Sequence, residues 1–318
     1  MHILRLPLAV LAAAALTAAC TVPAHAVTGW QPAESVPANA AASSAPYYVI
    51  GGVSVVNGFT GATLATIHGP DHRPLIVIGA ADDDRTFVLA TPTSFYELRL
   101  GSQGKPEWLT AVRGKVPPYG IGSVTAVSPD ARQVAYTTAT GGITVVSLVT
   151  GAARSWSSGN GGSATDLSWA GDRYVAFQLK SSIRELDTGA PGHSLLTSRI
   201  LPVTAPASDG MLSGLFNPVI TPDGSKLFAA AWTGPNDSIT AEIEEFSVST
   251  GKLLAVVMPP ASMPGHGDPC LVVWTDPDGA HAMADCGTDA IINNGVPFSA
   301  TLSLPNTSGI DFGGILAW

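Results

Sequence analysis

A chain of 318 residues is long enough to bury roughly 75% of its unfolded surface, so it needs no metal or disulfide to hold a core. Its residues are 46% hydrophobic and 12% charged, with Gly 34 and Pro 25. Short apolar runs of four to six residues, with almost no helical period, exclude a helical bundle and predict an all-β fold. The net charge of −9 makes nucleic acid and anionic membrane surfaces poor partners.

The first residues read as a leader. Arg5 supplies a positive start, and Leu6 to Ala19 is an uncharged apolar run too short to span a bilayer comfortably. Ala24-His25-Ala26 offers a cleavage site, so residues 1–26 are expected to be a secretory signal peptide. A second reading stays open. Leu16-Thr17-Ala18-Ala19-Cys20 resembles a bacterial lipobox, which would lipidate Cys20 and tie the chain to a membrane by that anchor alone. Both readings place the folded part outside the cytoplasm. Residues 27–46 are Ala, Pro, Ser and Asn with the single charge of Glu34, the composition of a disordered tether.

From Tyr47 onward one turn recurs. It reads Ser128-Pro129-Asp130-Ala131, Thr221-Pro222-Asp223-Gly224 and Asp276-Pro277-Asp278-Gly279, with worn copies at Asp82-Asp83-Asp84-Arg85 and Ala170-Gly171-Asp172. Copies spaced by about forty to fifty-five residues mark a repeat architecture. A second turn accompanies it: Thr-Gly at 60–61, 150–151, 188–189 and 250–251, each between apolar strands. The repeating unit is therefore strand, Pro-Asp-Gly turn, strand, loop, strand, Thr-Gly turn, strand. Units are expected at about Leu75 to Val112, Ser123 to Trp156, Ala164 to Ile200, Phe216 to Met258 and Cys270 to Leu304. Only three strands stand at the front, around Tyr48, Val55 and Leu64.

The paired turns resemble WD40-like, TolB-like and YVTN-type β-propeller repeats, and the resemblance covers nearly all of residues 47–318. It implies a six-bladed propeller of four-stranded blades, and by itself implies no activity, since these repeats serve unrelated functions. Gly314-Ile315-Leu316-Ala317-Trp318 is similar to the openings of the fourth and sixth units, so the C-terminal strand is expected to close blade one. Trp156, Trp169, Trp274 and Trp318 are expected in the core.

Opposite the two repeated turns lie the less regular connections. They carry Asp71 and His72, Tyr119, Trp232, and His266 and Asp268, and these six residues are the candidate binding face. No ligand spacing ties the histidines and carboxylates to a metal, no nucleophile elbow or phosphate loop is present, and no cofactor is implied. The reading that follows is a non-catalytic exported module, expected to be a monomer, presenting a loop face to a protein or cell-envelope component. The alternative is a metal-assisted hydrolase or lactonase with its site at the central channel.

Cys270 and Cys286 flank the third turn symmetrically about Asp278, which sets them opposite each other in a hairpin. A cross-strand disulfide fits an oxidising compartment, and two buried free thiols are the alternative. Thiol labelling of the denatured, unreduced protein is expected to leave Cys270 and Cys286 unmodified. Labelling of both would discard the bridge.

Overall fold

The computed structural model describes residues 47–50, 54–57, 62–70, 73, 75–83, 85–116, 124–204, 214–233, 240–262, 271–275, 282–285, 289–292 and 300–303. Their regular structure is almost entirely strand. The first sheet has three strands, β1 (Tyr47–Ile50), β2 (Ser54–Asn57) and β3 (Thr63–Thr66). The second holds β4 (Ile76–Ala80), β5 (Thr86–Ala90), β6 (Ser94–Leu100) and β7 (Pro106–Lys115). The third holds β8 (Thr125–Val127), β9 (Gln133–Thr137), β10 (Ile143–Ser147) and β11 (Ala153–Trp156). The fourth holds β12 (Ala164–Ala170), β13 (Tyr174–Leu179), β14 (Ser182–Asp187) and β15 (Arg199–Ile200). The fifth holds β16 (Gly214–Ile220), β17 (Lys226–Thr233), β18 (Thr240–Ser247) and β19 (Leu253–Ser262). The sixth holds β20 (Leu271–Thr275), β21 (Ala282–Asp285), β22 (Asp289–Ile292) and β23 (Ala300–Ser303). Every sheet is an antiparallel meander in chain order, and the arrangement is consistent with a β-propeller. The leader, the tether and the proposed closing strand at 314–318 lie outside the described residues.

The strands of the second to fifth sheets are apolar on both faces because each of these sheets packs between two others. In β17 the residues Leu227 to Ala231 are all essentially fully buried. Leu227, Ala229 and Ala231 join a cluster with Ile183 and Leu201 of the fourth sheet, whereas Phe228 turns the other way to Ala282 of the sixth. In β5, Phe87 and Leu89 face Val55 of the first sheet, and Val88 and Ala90 face Val134 and Tyr136 of the third. Trp156 and Trp169 are in the core, as expected. Trp169 keeps its indole N–H satisfied by donating to the Ala126 carbonyl of the third sheet at 3.0 Å.

The repeated turns have one wiring. Ala131 N–H donates to the Ser128 carbonyl and Gly224 N–H to the Thr221 carbonyl, both at 2.8 Å. The Ser128 and Thr221 hydroxyls donate to Asp130 at 2.6 Å and Asp223 at 2.5 Å, and those carboxylates accept the N–H of Arg132 and Ser225. The aspartate thus replaces a missing backbone partner, which is why it recurs at that place. The turns also join successive sheets. Asp82 N–H donates to the Pro129 carbonyl at 2.8 Å, Asp130 N–H to the Asp172 carboxylate at 3.1 Å, and Gly171 N–H to the Pro222 carbonyl at 2.5 Å. The first turns of four consecutive sheets are therefore gathered at one end. In each of the five four-stranded meanders the last strand ends opposite the first turn, so the connections that follow leave from the other end.

The Thr-Gly turns are alike in two sheets and different in a third. Gly151 and Gly251 have φ of 77° and 69°, donate to the carbonyls of Ser147 and Ser247, and precede an N–H that donates to the threonine hydroxyl. Both also lie against the previous sheet's outer side, Gly151 at the Arg113 carbonyl and Gly251 at the Pro202 carbonyl. At Thr188-Gly189 the turn does not close in this way. The chain instead makes an excursion, with Ser194 bridging to Ser157 of the third sheet, before the two-residue β15.

Gly224 and Gly251 are both left-handed, but only Gly251 has backbone where a Cβ would sit. Ala131 occupies the place of Gly224 in the third sheet with φ 56°, so alanine is tolerated there. Gly224→Ala is expected to cost about 1 kcal/mol and Gly251→Ala about 3 kcal/mol or more in thermal or denaturant unfolding. Equal losses would show that the approach to Pro202 is slack.

Candidate functional site

The first strands β4, β8, β12, β16 and β20 touch in sequence, forming an inner wall. Four of them are irregular at the same place. The ladder slips at Val77/Gly79 in β4, Thr165/Ser168 in β12, Phe216/Val219 in β16 and Val272/Trp274 in β20. A bulge leaves a residue unpaired and re-aims its groups. Here the neighbouring sheet takes up what the bulge releases. Thr125 donates its hydroxyl to the Ile78 carbonyl at 3.3 Å, and Ser168 donates to the Pro218 carbonyl at 3.4 Å while accepting Ile220 N–H at 3.0 Å. Gln178 adds a bond to the Leu215 carbonyl at 3.2 Å.

In β12 and β16 the bulge is polar and left-handed. Asp166 has φ 56° and Asn217 has φ 50°, conformations that Asp and Asn tolerate better than other side-chain-bearing residues. Asp166 is the third and Asn217 the fourth residue of their seven-residue strands. Asp166 accepts the Thr165 hydroxyl at 2.7 Å, its one partner among the described residues. Burial raises its pKa, opposed by that bond. The five first strands read IVIGA, TAV, ATDLSWA, GLFNPVI and LVVWT, so Asp166 is the one charged residue on this wall. Residues held in sparsely populated backbone conformations cluster at functional sites.

A second acidic feature lies in the same sector. Glu244 of β18 pairs in register with Ala229, on the face toward the fourth sheet, and is 2% exposed. Its Oε2 has no partner among the described residues. Burial, together with the charge and hydrogen bond of Glu242 two residues earlier on the same face, pushes its pKa up to about 7. Glu245 points the other way and pairs with Lys226 at 3.1 Å. Strand alternation puts Glu244 and Glu245 on opposite faces and Glu242 and Glu244, two residues apart, on the same one.

A groove of about 440 Å³ sits beneath the 188–198 excursion, lined by Trp156, Tyr174, Glu185, Asp187 and Arg199 among others. Its charges are matched internally. Arg199 bonds Glu185 at 2.8 Å, and Arg173 grips Asp187 through two bonds of 2.8 and 2.7 Å, holding that carboxyl below the usual range.

Of the candidate residues named from sequence, Trp232 lies on β17, where its backbone pairs with Gly214 and Ala241. Asp71, His72, Tyr119, His266, Asp268, Cys20, Cys270 and Cys286 lie outside the described residues. The β20–β21 ladder ends on the pair Leu271 and Asp285. Trp232 lies next to the β17–β18 connection. Asp166 and Asn217 were missed, because a left-handed bulge in a strand leaves no mark beyond one Asp and one Asn. Among the described residues, no three His, Cys, Asp or Glu side chains group as metal ligands, and no helix is long and apolar enough to cross a membrane.

No family model matches the chain, and no curated protein matches it. Among solved structures it is similar to a candidate TolB from Agrobacterium tumefaciens, at 11% identity and a TM-score of 0.49, over 80% of this chain and 87% of that one.

Because Glu244 holds its proton more tightly folded than unfolded, its contribution to stability is complete below about pH 4.5 and is lost as pH rises toward 7. Glu244→Gln is expected to remove that decline, raising stability at pH 8 relative to pH 5 by on the order of 2 kcal/mol compared with the native chain. Parallel pH–stability curves for the two proteins would show that the carboxyl is not held neutral.

Proposed function

We propose that this protein is an exported, non-catalytic binding module: a six-bladed β-propeller, closed in blade one by its C-terminal strand, that presents one loop face to a protein or cell-envelope partner. The observation that carries the reading is the gathering of the Pro-Asp-Gly turns at one end by turn-to-turn hydrogen bonds, which leaves the irregular connections together at the other. Asp71, His72, Tyr119, Trp232, His266 and Asp268 are the residues of that face.

Export rests on the leader at residues 1–26, with Cys20 the point of lipid attachment if the lipobox is used. The bridge between Cys270 and Cys286 belongs to the same reading, and the order of the β20–β21 ladder up to Leu271 and Asp285 supports it.

The test is affinity capture from envelope and secretome extract by the immobilised chain, against a control with the six face residues changed to alanine. A partner retained by the native chain and lost by an equally stable control is the expected result. Identical retention by both would remove the loop face from the account.

A further inference from the structure

We propose that the groove beneath the 188–198 excursion binds a neutral saccharide, with two neighbouring hydroxyls clasped between Glu185 and Arg199. The site is distinct from the loop face. Tyr174 follows directly on the Ala170-Gly171-Asp172 turn and pairs in register with Asp187, so the groove stands at the end gathered by the Pro-Asp-Gly turns. The inference therefore does not rest on the binding-module reading.

The excursion builds the groove and holds its shape. In the third and fifth sheets a Thr-Gly turn leads almost directly into the outer strand, at Ala153 and Leu253. In the fourth sheet residues 188–198 intervene, and the outer strand β15 is cut to two residues. The inserted segment is pinned to the third sheet. Ser157 N–H donates to the His193 carbonyl at 2.7 Å, and Leu195 N–H donates to the Ser157 carbonyl at 2.9 Å. Arg154 donates to the Thr188 carbonyl at 2.8 Å, and the Leu195 side chain is fully buried. The space under this strap is about 440 Å³, within the range of about 300–1,000 Å³ usual for small-ligand sites. A site fixed before its ligand arrives has a low ordering cost.

The lining selects the ligand. Register sets Glu185 opposite Arg199 and Asp187 opposite Tyr174, so these side chains share one face of the sheet. Each carboxylate is matched by an arginine, so the groove has no net charge to attract an ion, and a charged ligand would meet a like charge in each pair. The Glu185–Arg199 pair is not saturated. It is joined through Oε2 and Nη1, and among the described residues Glu185 Oε1, Arg199 Nη2 and the Tyr174 hydroxyl have no hydrogen bond. A hydroxyl both donates and accepts. Two adjacent sugar hydroxyls therefore satisfy that carboxylate oxygen and that guanidinium N–H together, whereas an ammonium brings no acceptor and a carboxylate or phosphate dianion no donor. Tyr174, 36% exposed, offers an aromatic surface to the C–H face of a sugar ring, and Arg173 steadies that ring from 5.5 Å above its centre. Ala190, Pro191 and Gly192 complete the lining without adding a charge.

The full chain should be titrated with glucose, galactose, N-acetylglucosamine, maltose and cellobiose at millimolar concentration, read by saturation-transfer NMR, beside the charged sugars glucuronic acid and glucosamine. At least one neutral sugar is expected to bind, more tightly than either charged one. Ala190→Trp fills the groove and removes no polar group, Glu185→Ala removes the acceptor, and Tyr174→Ala removes the ring. Each variant, checked to melt at the native temperature, is expected to weaken binding about tenfold or more. Binding of no neutral sugar would overturn the proposal, as would tightest binding of a charged one. An affinity unchanged in Ala190→Trp or in Glu185→Ala would overturn it equally, and each of these results leaves the loop face untouched.

Discussion

The second to fifth sheets of this protein are covered on both faces, and most of the described structure follows from that packing. A strand such as β17 sends Leu227 and Ala229 to one neighbour and Phe228 to the other, so no face is left for water. Burying side chains of this size contributes about 1.5–3 kcal/mol each, which makes the sheet-to-sheet contacts the main source of stability. It also explains a chain that is almost half hydrophobic yet carries few charges. The charges have few places to go except turns, loops and outer strands.

Tight stacking sets a polar problem at the inner wall. The first strand of each sheet has a ladder on one side only, and the groups on its other side need partners. The bulges solve this by turning carbonyls such as those of Ile78 and Pro218 into the next sheet, where Thr125 and Ser168 meet them. The Pro-Asp-Gly turns solve the same problem at one end, where a backbone N–H of one turn reaches a proline carbonyl or an aspartate of the next. Glycine is needed where such an approach is closest, as at Gly251 against Pro202.

The fourth and fifth sheets depart from this economy. Their bulges are polar and left-handed at Asp166 and Asn217, their interface encloses Glu244 beside Glu242, and the fourth sheet gives up most of its outer strand for an excursion onto the third. Each departure costs stability relative to an apolar, right-handed alternative. These departures are concentrated in one sector, the fourth and fifth sheets.

The sequence by itself was enough for the all-β class, the four-strand unit and the boundaries of the repeats. Pro-Asp-Gly and Thr-Gly turns are local chemistry, written in the residues that adopt them: the expected unit from Ala164 to Ile200 coincides with β12 to β15, and that from Ser123 to Trp156 nearly so with β8 to β11. Tertiary structure alone decided the rest. Thr188-Gly189 has the turn sequence but not the turn, because the segment after it is held by Ser157 and Arg154 of another sheet. Asp166 and Asn217 stand on contacting strands only because β12 and β16 are neighbours, although about fifty residues separate them. A turn is fixed by residues in contact along the chain, whereas a bulge and a shared wall are fixed by what packs across it.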